Sequence, residues 1–577
     1  MKWRQTAVFL VVSALAGCYY EWGVRATGTE FLWHHNDLTG YYNYLTRGFT
    51  EGHLYLPVEP DPRLLALPDP LDPNAGNDLP KLFDAVLYNR HYYLYHGVGP
   101  AVMLFLPWRL ISGNDLPEGF ALFVFGFGGY LFAAGTLLLL LLRKAGVEVK
   151  PWVLGLMLLA LAFCQSVPFL LSRVWVYEIA IGGGYFCVAA GLYFLTRSLE
   201  SQRMVWPAAA GLMLTMAVAC RPHLGIVTGL GLIAAAFALR RRVVAFVVPM
   251  VIVGVAIGIY NFERFGSPFD FGLHYQLTGA YQGVLHLRAE NVLPGLYYML
   301  FTRPEFTNIF PWVLIPWPPR SVPRPPLYFV EPIVGALFLA PFVPMAFVAL
   351  FLRLLGALRW VVVLSGGAIV CFLITTGLST QRYEVDFLPL LGLAAMAAFG
   401  VCIARTKGVA RIGLSCGLAA SVVFGLVVNL AMGIAGPYDD LMKNKPARYV
   451  AIAKWFSPAS GLRPQLNPPV AADFSAPVAT GPEHFRQDLL SAGRQPWQYE
   501  LFLDHLSGKP VLVSKFAGAN LTKEMPLSAA PVPFHVAFMP QTQEMIVAAN
   551  GAEVFRHKLD ALITAPAQVV LHEPARQ

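Results

Sequence analysis

Long apolar stretches recur along this chain, and no other feature constrains its fold as strongly. A helix needs roughly 20 apolar residues to cross about 30 Å of hydrocarbon. About eleven stretches approach that requirement: 6–24, 120–142, 151–171, 175–196, 206–220, 224–240, 243–262, 328–352, 360–378, 386–404 and 412–435. The pair at 206–220 and 224–240 is short and reads as a tight helical hairpin around Arg221-Pro222. Asp, Glu, Lys and Arg make up 13% of the 577 residues, against 56% apolar, and soluble chains carry roughly 25% charged residues. That deficit excludes a soluble enzyme, a disordered chain and a nucleic-acid binder built on a basic surface, despite the net charge of +8. All seven cysteines fall in apolar stretches, as small buried hydrophobes do and as a disulfide framework does not. The expected fold class is an all-α polytopic membrane protein.

Lys and Arg set the expected orientation, because positive residues stay on the cytoplasmic side. Lys2 and Arg4, Arg143-Lys144 with Lys150, Arg197 with Arg203, Arg240-Arg241-Arg242, Arg353 with Arg359, and Arg405, Lys407 and Arg411 all fall on one side. The opposite short loops keep only Arg173, Arg221 and Arg382. This alternation requires 98–112, with Pro100 and Pro107, to lie in the interface instead of spanning. The N-terminus is then cytoplasmic, and three regions are extracytoplasmic: loops 25–119 and 263–327, and everything after 435.

The domain expectation follows: a membrane domain over 1–435, a Pro-rich linker over 436–482 and a small β-sandwich-like domain over 483–577. Lys509–Lys515, Phe534–Phe538 and Glu544–Ala549 have strand lengths, and Asn550-Gly551 is a hairpin signal. At the other end, Leu15-Ala16-Gly17-Cys18 has the form of a lipoprotein cleavage box. Apolar character continues through Tyr19, Tyr20 and Trp22, an interfacial aromatic belt, so the first span is expected to be retained.

Ionisable groups at membrane depth or at its outer boundary are costly, which makes them functional candidates. The first outer loop is dense in them. Asp37 lies in His34-His35-Asn36-Asp37-Leu38-Thr39-Gly40, ahead of a predicted helix that ends near Arg47. Gly52-His53-Leu54-Tyr55-Leu56-Pro57 follows, then an aromatic stretch through Tyr88, Tyr92 and Tyr93 to His96-Gly97-Val98-Gly99-Pro100. Taken alone, Asp37 also fits a helix N-cap.

The order of these features resembles the GT-C superfamily of integral-membrane glycosyltransferases, with the bacterial aminoarabinose transferases and protein O-mannosyltransferases nearest. The resemblance covers 1–262 in layout and the spans to 435 more loosely. It implies a protein of the bacterial inner membrane that takes a sugar from a polyprenyl-phosphate carrier. The sugar passes to an extracytoplasmic lipid, glycan or protein hydroxyl, with inversion. Asp37 takes the position of the family's first-loop acid, and Glu178 that of the acid at the outer start of the fourth span. The family's paired Asp-Glu is here Asn36-Asp37, which leaves one carboxylate. Where relatives carry a charged residue before the interfacial proline, this chain has His96-Gly97-Val98-Gly99-Pro100. Arg221 matches a basic residue between the fifth and sixth spans.

Such a transfer needs a base for the acceptor's proton and cations for the departing phosphate. The expected catalytic residues are Asp37 and Glu178, with Arg47, His96, Arg221, Arg382, Tyr92 and Tyr93 binding substrate. Arg382 also has Glu384 and Asp386 as possible ion-pair partners. The first-loop histidines lack the spacing of a recognised zinc site, and no Gly-rich phosphate loop is present. No cofactor, no resident metal and no nucleic-acid partner are therefore expected. A transporter or lipid flippase and a non-catalytic envelope scaffold are the competing function classes. The first requires matched broken helices with charges near the midplane; the second leaves Asp37 and Glu178 individually replaceable.

Overall fold

The computed structural model describes residues 3–26, 40–72, 79–277, 287–307, 310–316, 322–325, 328–436, 441, 445–456, 470–479, 486–492, 499–506, 509–516, 519–539, 544–558 and 569–571. It divides into two compact units, one over 1–305 and 315–437 and the other over 306–314 and 438–577.

The first unit is helical, and its composition and helix lengths make the protein a multi-pass membrane protein. Six described helical stretches are long and apolar enough to cross a bilayer: Trp3–Ala26, Glu118–Lys144, Val176–Glu200, Pro222–Phe265, Leu388–Arg405 and Gly408–Ala435. Four shorter apolar helices join them: Ala101–Ser112, Pro151–Phe163, Val205–Cys220 and Leu358–Leu373. Positions differ sharply. The apolar window of Val176–Glu200 is 83% buried inside the protein, whereas that of Pro222–Phe265 is 6% buried. Exposed Phe237, Ile252 and Ile259 on the latter fit contact with hydrocarbon, where apolar surface costs nothing.

Two predicted spans are broken. The stretch 151–171 stops at Phe163 and resumes over Val167–Leu171, with Ser166 between them at a left-handed φ of 61°. Asn429 accepts the Ser166 amide at 3.1 Å, so the freed backbone group is satisfied inside the protein. The expected span 328–352 is not one helix: it holds a strand at Phe329–Val330 and short helices at Ala336–Leu339 and Met345–Ala349. Pro341 and Pro344 lack the amide hydrogens a continuous helix requires there. The predicted interfacial segment 98–112 is helical from Ala101, and its first turns are a π-helix.

A short parallel pairing joins Phe329–Val330 to Leu378–Ser379. The Glu331 amide donates to the Ser379 carbonyl at 3.0 Å, which brings the carboxylate of Glu331 beside residues 380–382. Between helices Trp3–Ala26 and Glu118–Lys144, strands Val86–Tyr88 and His91–Tyr93 form a hairpin. Asn89 and Arg90 turn it, both at positive φ.

The second unit holds two antiparallel sheets. One has five strands in the order Ala519–Glu524, Lys509–Phe516, Tyr499–Leu506, Arg486–Ala492, Val569–Leu571. The other has four, in the order Ala552–Lys558, Glu544–Ala549, Ser528–Met539, Val470–Val478. Asn550-Gly551 makes the last hairpin with φ of 51° and 76°, the left-handed pair that a two-residue turn demands. The stretch 436–482 is more than a linker: it contains helix Pro446–Trp455 and strand Val470–Val478, which pairs with Ser528–Met539.

Candidate functional site

Arg382 lies in a short 3-10 turn, Gln381–Asp386, just before helix Leu388–Arg405. Its ion-pair partner is Glu331, not Glu384 or Asp386. Nη1 and Nη2 donate to the two carboxylate oxygens of Glu331 at 2.7 and 3.3 Å, and Thr380 Oγ1 donates to Glu331 at 2.5 Å. The fork matches guanidinium to carboxylate geometry, as Lys does not. The guanidinium also stands 4.7 Å from the Tyr177 ring centroid and 5.9 Å from that of Tyr383. Burial opposes its charge, but Glu331 and Glu178 hold its pKa above the ordinary arginine value.

Arg221 approaches the same aromatic ring. Helix Val205–Cys220 ends there because Arg221 turns extended and Pro222 follows. Its guanidinium carbon is 4.7 Å from the Tyr383 centroid, and Nη2 reaches Asp386 Oδ2 at 3.1 Å. His223 Nε2 meets the same oxygen at 3.0 Å. Both guanidinium carbons thus lie within 6 Å of one tyrosine ring. In each arginine, Nε is buried with no hydrogen-bond partner among the described residues.

Glycines allow this convergence. A Cβ on Gly97 would sit 2.1 Å from the Ala219 carbonyl oxygen, and one on Gly99 2.5 Å from Cys220 Sγ. The His96-Gly97-Val98-Gly99-Pro100 segment therefore lies against the end of helix Val205–Cys220. The absence of side chains at Gly97 and Gly99 lets the two backbones touch. On helix Val176–Glu200, a Cβ on Gly184 would meet Leu224 at 2.7 Å, with the stem of Arg221 alongside.

His96 is half-buried beside the cluster, with Nε2 shut off from solvent, and packs edge-on against Tyr177, centroids 5.0 Å apart. Burial, with Arg221 and Arg382 nearby, pushes its pKa down from 6.5 to about 3. Between those values the unfolded chain binds a proton that the folded chain refuses, so stability falls as pH drops through that window. The cost is about 1.4 kcal/mol per pH unit below 6.5. Melting His96→Gln and wild type in detergent at pH 7 and pH 5 is expected to show a flatter pH response in the variant. Equal responses would contradict this account of His96.

Glu178 is buried in the first turn of helix Val176–Glu200. Its Oε2 has no hydrogen-bond partner among the described residues, and Arg382 and Arg173 supply the positive field around it. The preceding Tyr177 donates its hydroxyl hydrogen to Asp84. Four of the eight sequence-derived site residues (Glu178, His96, Arg221 and Arg382) thus belong to one connected set.

Arg47, Tyr92 and Tyr93 do not join it. Asp37 lies outside the described residues. Arg47 pairs with Asp115, which Arg109 also contacts at 2.7 Å. Tyr92 is buried in an apolar cluster with Leu56, Leu64 and Ala85, and Tyr93 packs on Phe265, centroids 5.6 Å apart. Conversely, Glu331, Asp386, Tyr383 and Asp84 join the cluster without being expected as site residues. Glu331 and Asp386 carried a usable signal, each being an acid near the start of an apolar stretch.

No protein-family profile matches the sequence, and no curated protein sequence does. Among solved structures, the apo crystal structure of the Archaeoglobus fulgidus oligosaccharyltransferase aligns with a TM-score of 0.43 and 13% identity, over 81% of this chain and 60% of that one. ArnT from Cupriavidus metallidurans, in a crystal structure bound to undecaprenyl phosphate, aligns with a TM-score of 0.40 and 13% identity, over 83% of each chain. The archaeal oligosaccharyltransferase AglB from Archaeoglobus fulgidus, in complex with an inhibitory peptide and a dolichol-phosphate, gives 0.39 and 14%, over 81% and 60%. The chain thus spans 60% of the length of these oligosaccharyltransferases. These are likenesses of fold alone.

Proposed function

We propose that the protein is a GT-C-type glycosyltransferase that moves a sugar from a polyprenyl-phosphate carrier to an extracytoplasmic hydroxyl, with inversion. The observation that carries the proposal is the pair of arginines, half-buried Arg221 and buried Arg382, flanking Tyr383 with both Nε hydrogens buried and uncommitted among the described residues. Each is neutralised by a carboxylate through its other nitrogens, which keeps the cluster tolerable in a low-dielectric site while leaving a donor for a phosphate oxygen. In this mechanism Asp37 takes the acceptor hydroxyl's proton as the acceptor oxygen attacks the anomeric carbon. The bond from that carbon to the phosphate oxygen breaks, and the negative charge arriving on the phosphate meets Arg221 and Arg382. Neutral His96 adds no charge to the site. The N-terminus is cytoplasmic and the C-terminal domain extracytoplasmic, as the distribution of Lys and Arg supports.

The test is turnover. Purified protein in detergent is given a panel of polyprenyl-phospho-sugars with extracted envelope acceptors, and mass spectrometry follows the appearance of free polyprenyl phosphate. Release with at least one donor, abolished in Asp37→Asn, is expected. Absence of release across the panel, or release unaffected by that substitution, would favour a transporter or scaffold.

A further inference from the structure

Tyr177 is where three groups from distant parts of the chain meet. Its hydroxyl donates to Asp84, its face lies 4.7 Å from the Arg382 guanidinium, and the His96 ring packs edge-on at 5.0 Å. Asp84 is itself held in place. It is a non-glycine residue at φ 59°, a conformation that persists only where surroundings enforce it. Its amide donates to the Leu277 carbonyl at 2.7 Å, and the Leu277 amide donates to the Ala85 carbonyl at 2.8 Å. The first and second outer loops are therefore stitched together at the residue that grips Tyr177.

The chemistry of the contact suggests its purpose. A phenol that donates to a carboxylate shifts electron density into its ring, and a richer ring attracts a cation more strongly. Arg382 faces a competition when phosphate arrives, because the new anion and Glu331 draw on the same guanidinium. A ring fixed from behind by Asp84 resists the displacement that this competition would cause.

We infer that Tyr177, held by Asp84, is a positioning residue for Arg382 that keeps the guanidinium in place when a carrier phosphate binds. The inference rests on the proposed carrier-phosphate site and gives a role to a side chain of that site which the transfer mechanism does not use.

The experiment titrates a short-chain polyprenyl phosphate into purified full-length protein, with polyprenol of the same length as the control. Tyr177→Phe keeps the ring but loses the bond to Asp84, and is expected to weaken phosphate binding about threefold to tenfold, the scale of a partly lost cation–π contact. Tyr177→Leu removes the ring and is expected to weaken it about thirtyfold. Asp84→Asn, which keeps an acceptor but removes its charge, should act in the same direction as Tyr177→Phe but more weakly, and the double variant Asp84→Asn/Tyr177→Phe should bind no worse than Tyr177→Phe alone, because both changes act on one contact. Melting temperatures recorded on the same samples separate a structural role. Variants that melt lower yet bind phosphate with the wild-type Kd would overturn the inference, as would additive losses in the double variant. Wild type that prefers phosphate over polyprenol, with Tyr177→Phe indistinguishable from it, removes this inference alone. Wild type with no such preference removes the carrier reading and this inference with it.

Discussion

Arg382→Gln is expected to cost the protein both stability and activity, and adding Glu331→Gln is expected to restore only the first. The single change strands the Glu331 carboxylate, whose partners are Arg382 and Thr380. Uncovering one half of a buried pair costs about 3–5 kcal/mol. In the double variant two neutral amides of similar size take over and the uncompensated charge is gone, so melting should recover most of the way. Transfer should stay down about 10²–10³-fold, the usual effect of removing one group that stabilises developing charge. Arg382→Lys completes the series: it keeps the charge but not the fork or the flat stacking on Tyr177 and Tyr383, so an intermediate loss is expected. Near-wild-type transfer in Arg382→Gln/Glu331→Gln would show that Arg382 serves the fold and not the phosphate.

Asp37→Asn should lower transfer about 10²–10⁴-fold, the range contributed by a positioned general base, and leave the melting temperature close to that of wild type. An amide preserves the size of the side chain and its capacity to accept hydrogen bonds. Rising pH should not rescue the variant, because no group at that position then titrates. Asp37→Glu, which keeps the carboxylate but displaces it, should retain more activity than Asp37→Asn. The opposite order, or full activity in Asp37→Asn, would remove Asp37 as the base; the helix that follows starts at Tyr41 with Gly40 as its N-cap, so the capping role its sequence position also fitted is not available to it. Carrier binding should survive in both variants, which separates the base from the arginines that hold the phosphate.

Residues that announce themselves by type were legible in the sequence; their partners were not. Arg221 and Arg382 stood out because an arginine in a short outer loop between apolar stretches is costly and must be used or paired. Which carboxylate pairs with Arg382 depended on a parallel contact between Phe329–Val330 and Leu378–Ser379, a pairing of segments far apart in sequence that no local pattern encodes. The same contact takes Phe329–Val330 out of any helix, and Pro341 and Pro344 break the rest, so 328–352 does not form one helix although its apolar content matched a span. Helix positions were readable to within a few residues where apolar runs were unbroken, as for Val176–Glu200 and Gly408–Ala435. They were misread where the chain breaks inside the protein, at Ser166 and around Pro341, because a satisfied internal break looks as apolar as a helix. Tyr92 and Tyr93 were drawn into the candidate site by their aromatic neighbourhood, yet strand alternation and hairpin packing explain their burial. In the C-terminal domain the reverse held: Asn550-Gly551 marked its turn, but the strand Val470–Val478 was hidden in a Pro-rich stretch.

The most direct test of the central claim is equilibrium binding of a polyprenyl phosphate, set against the matching polyprenol, to wild type, Arg221→Lys and Arg382→Lys. A ligand that binds only the folded state raises the melting temperature by mass action, so thermal shift in detergent reads the result. A clear shift with the phosphate, little with the alcohol, and a marked reduction in both variants are expected. Equal shifts with phosphate and alcohol, or a phosphate shift that neither arginine variant diminishes, would contradict that claim.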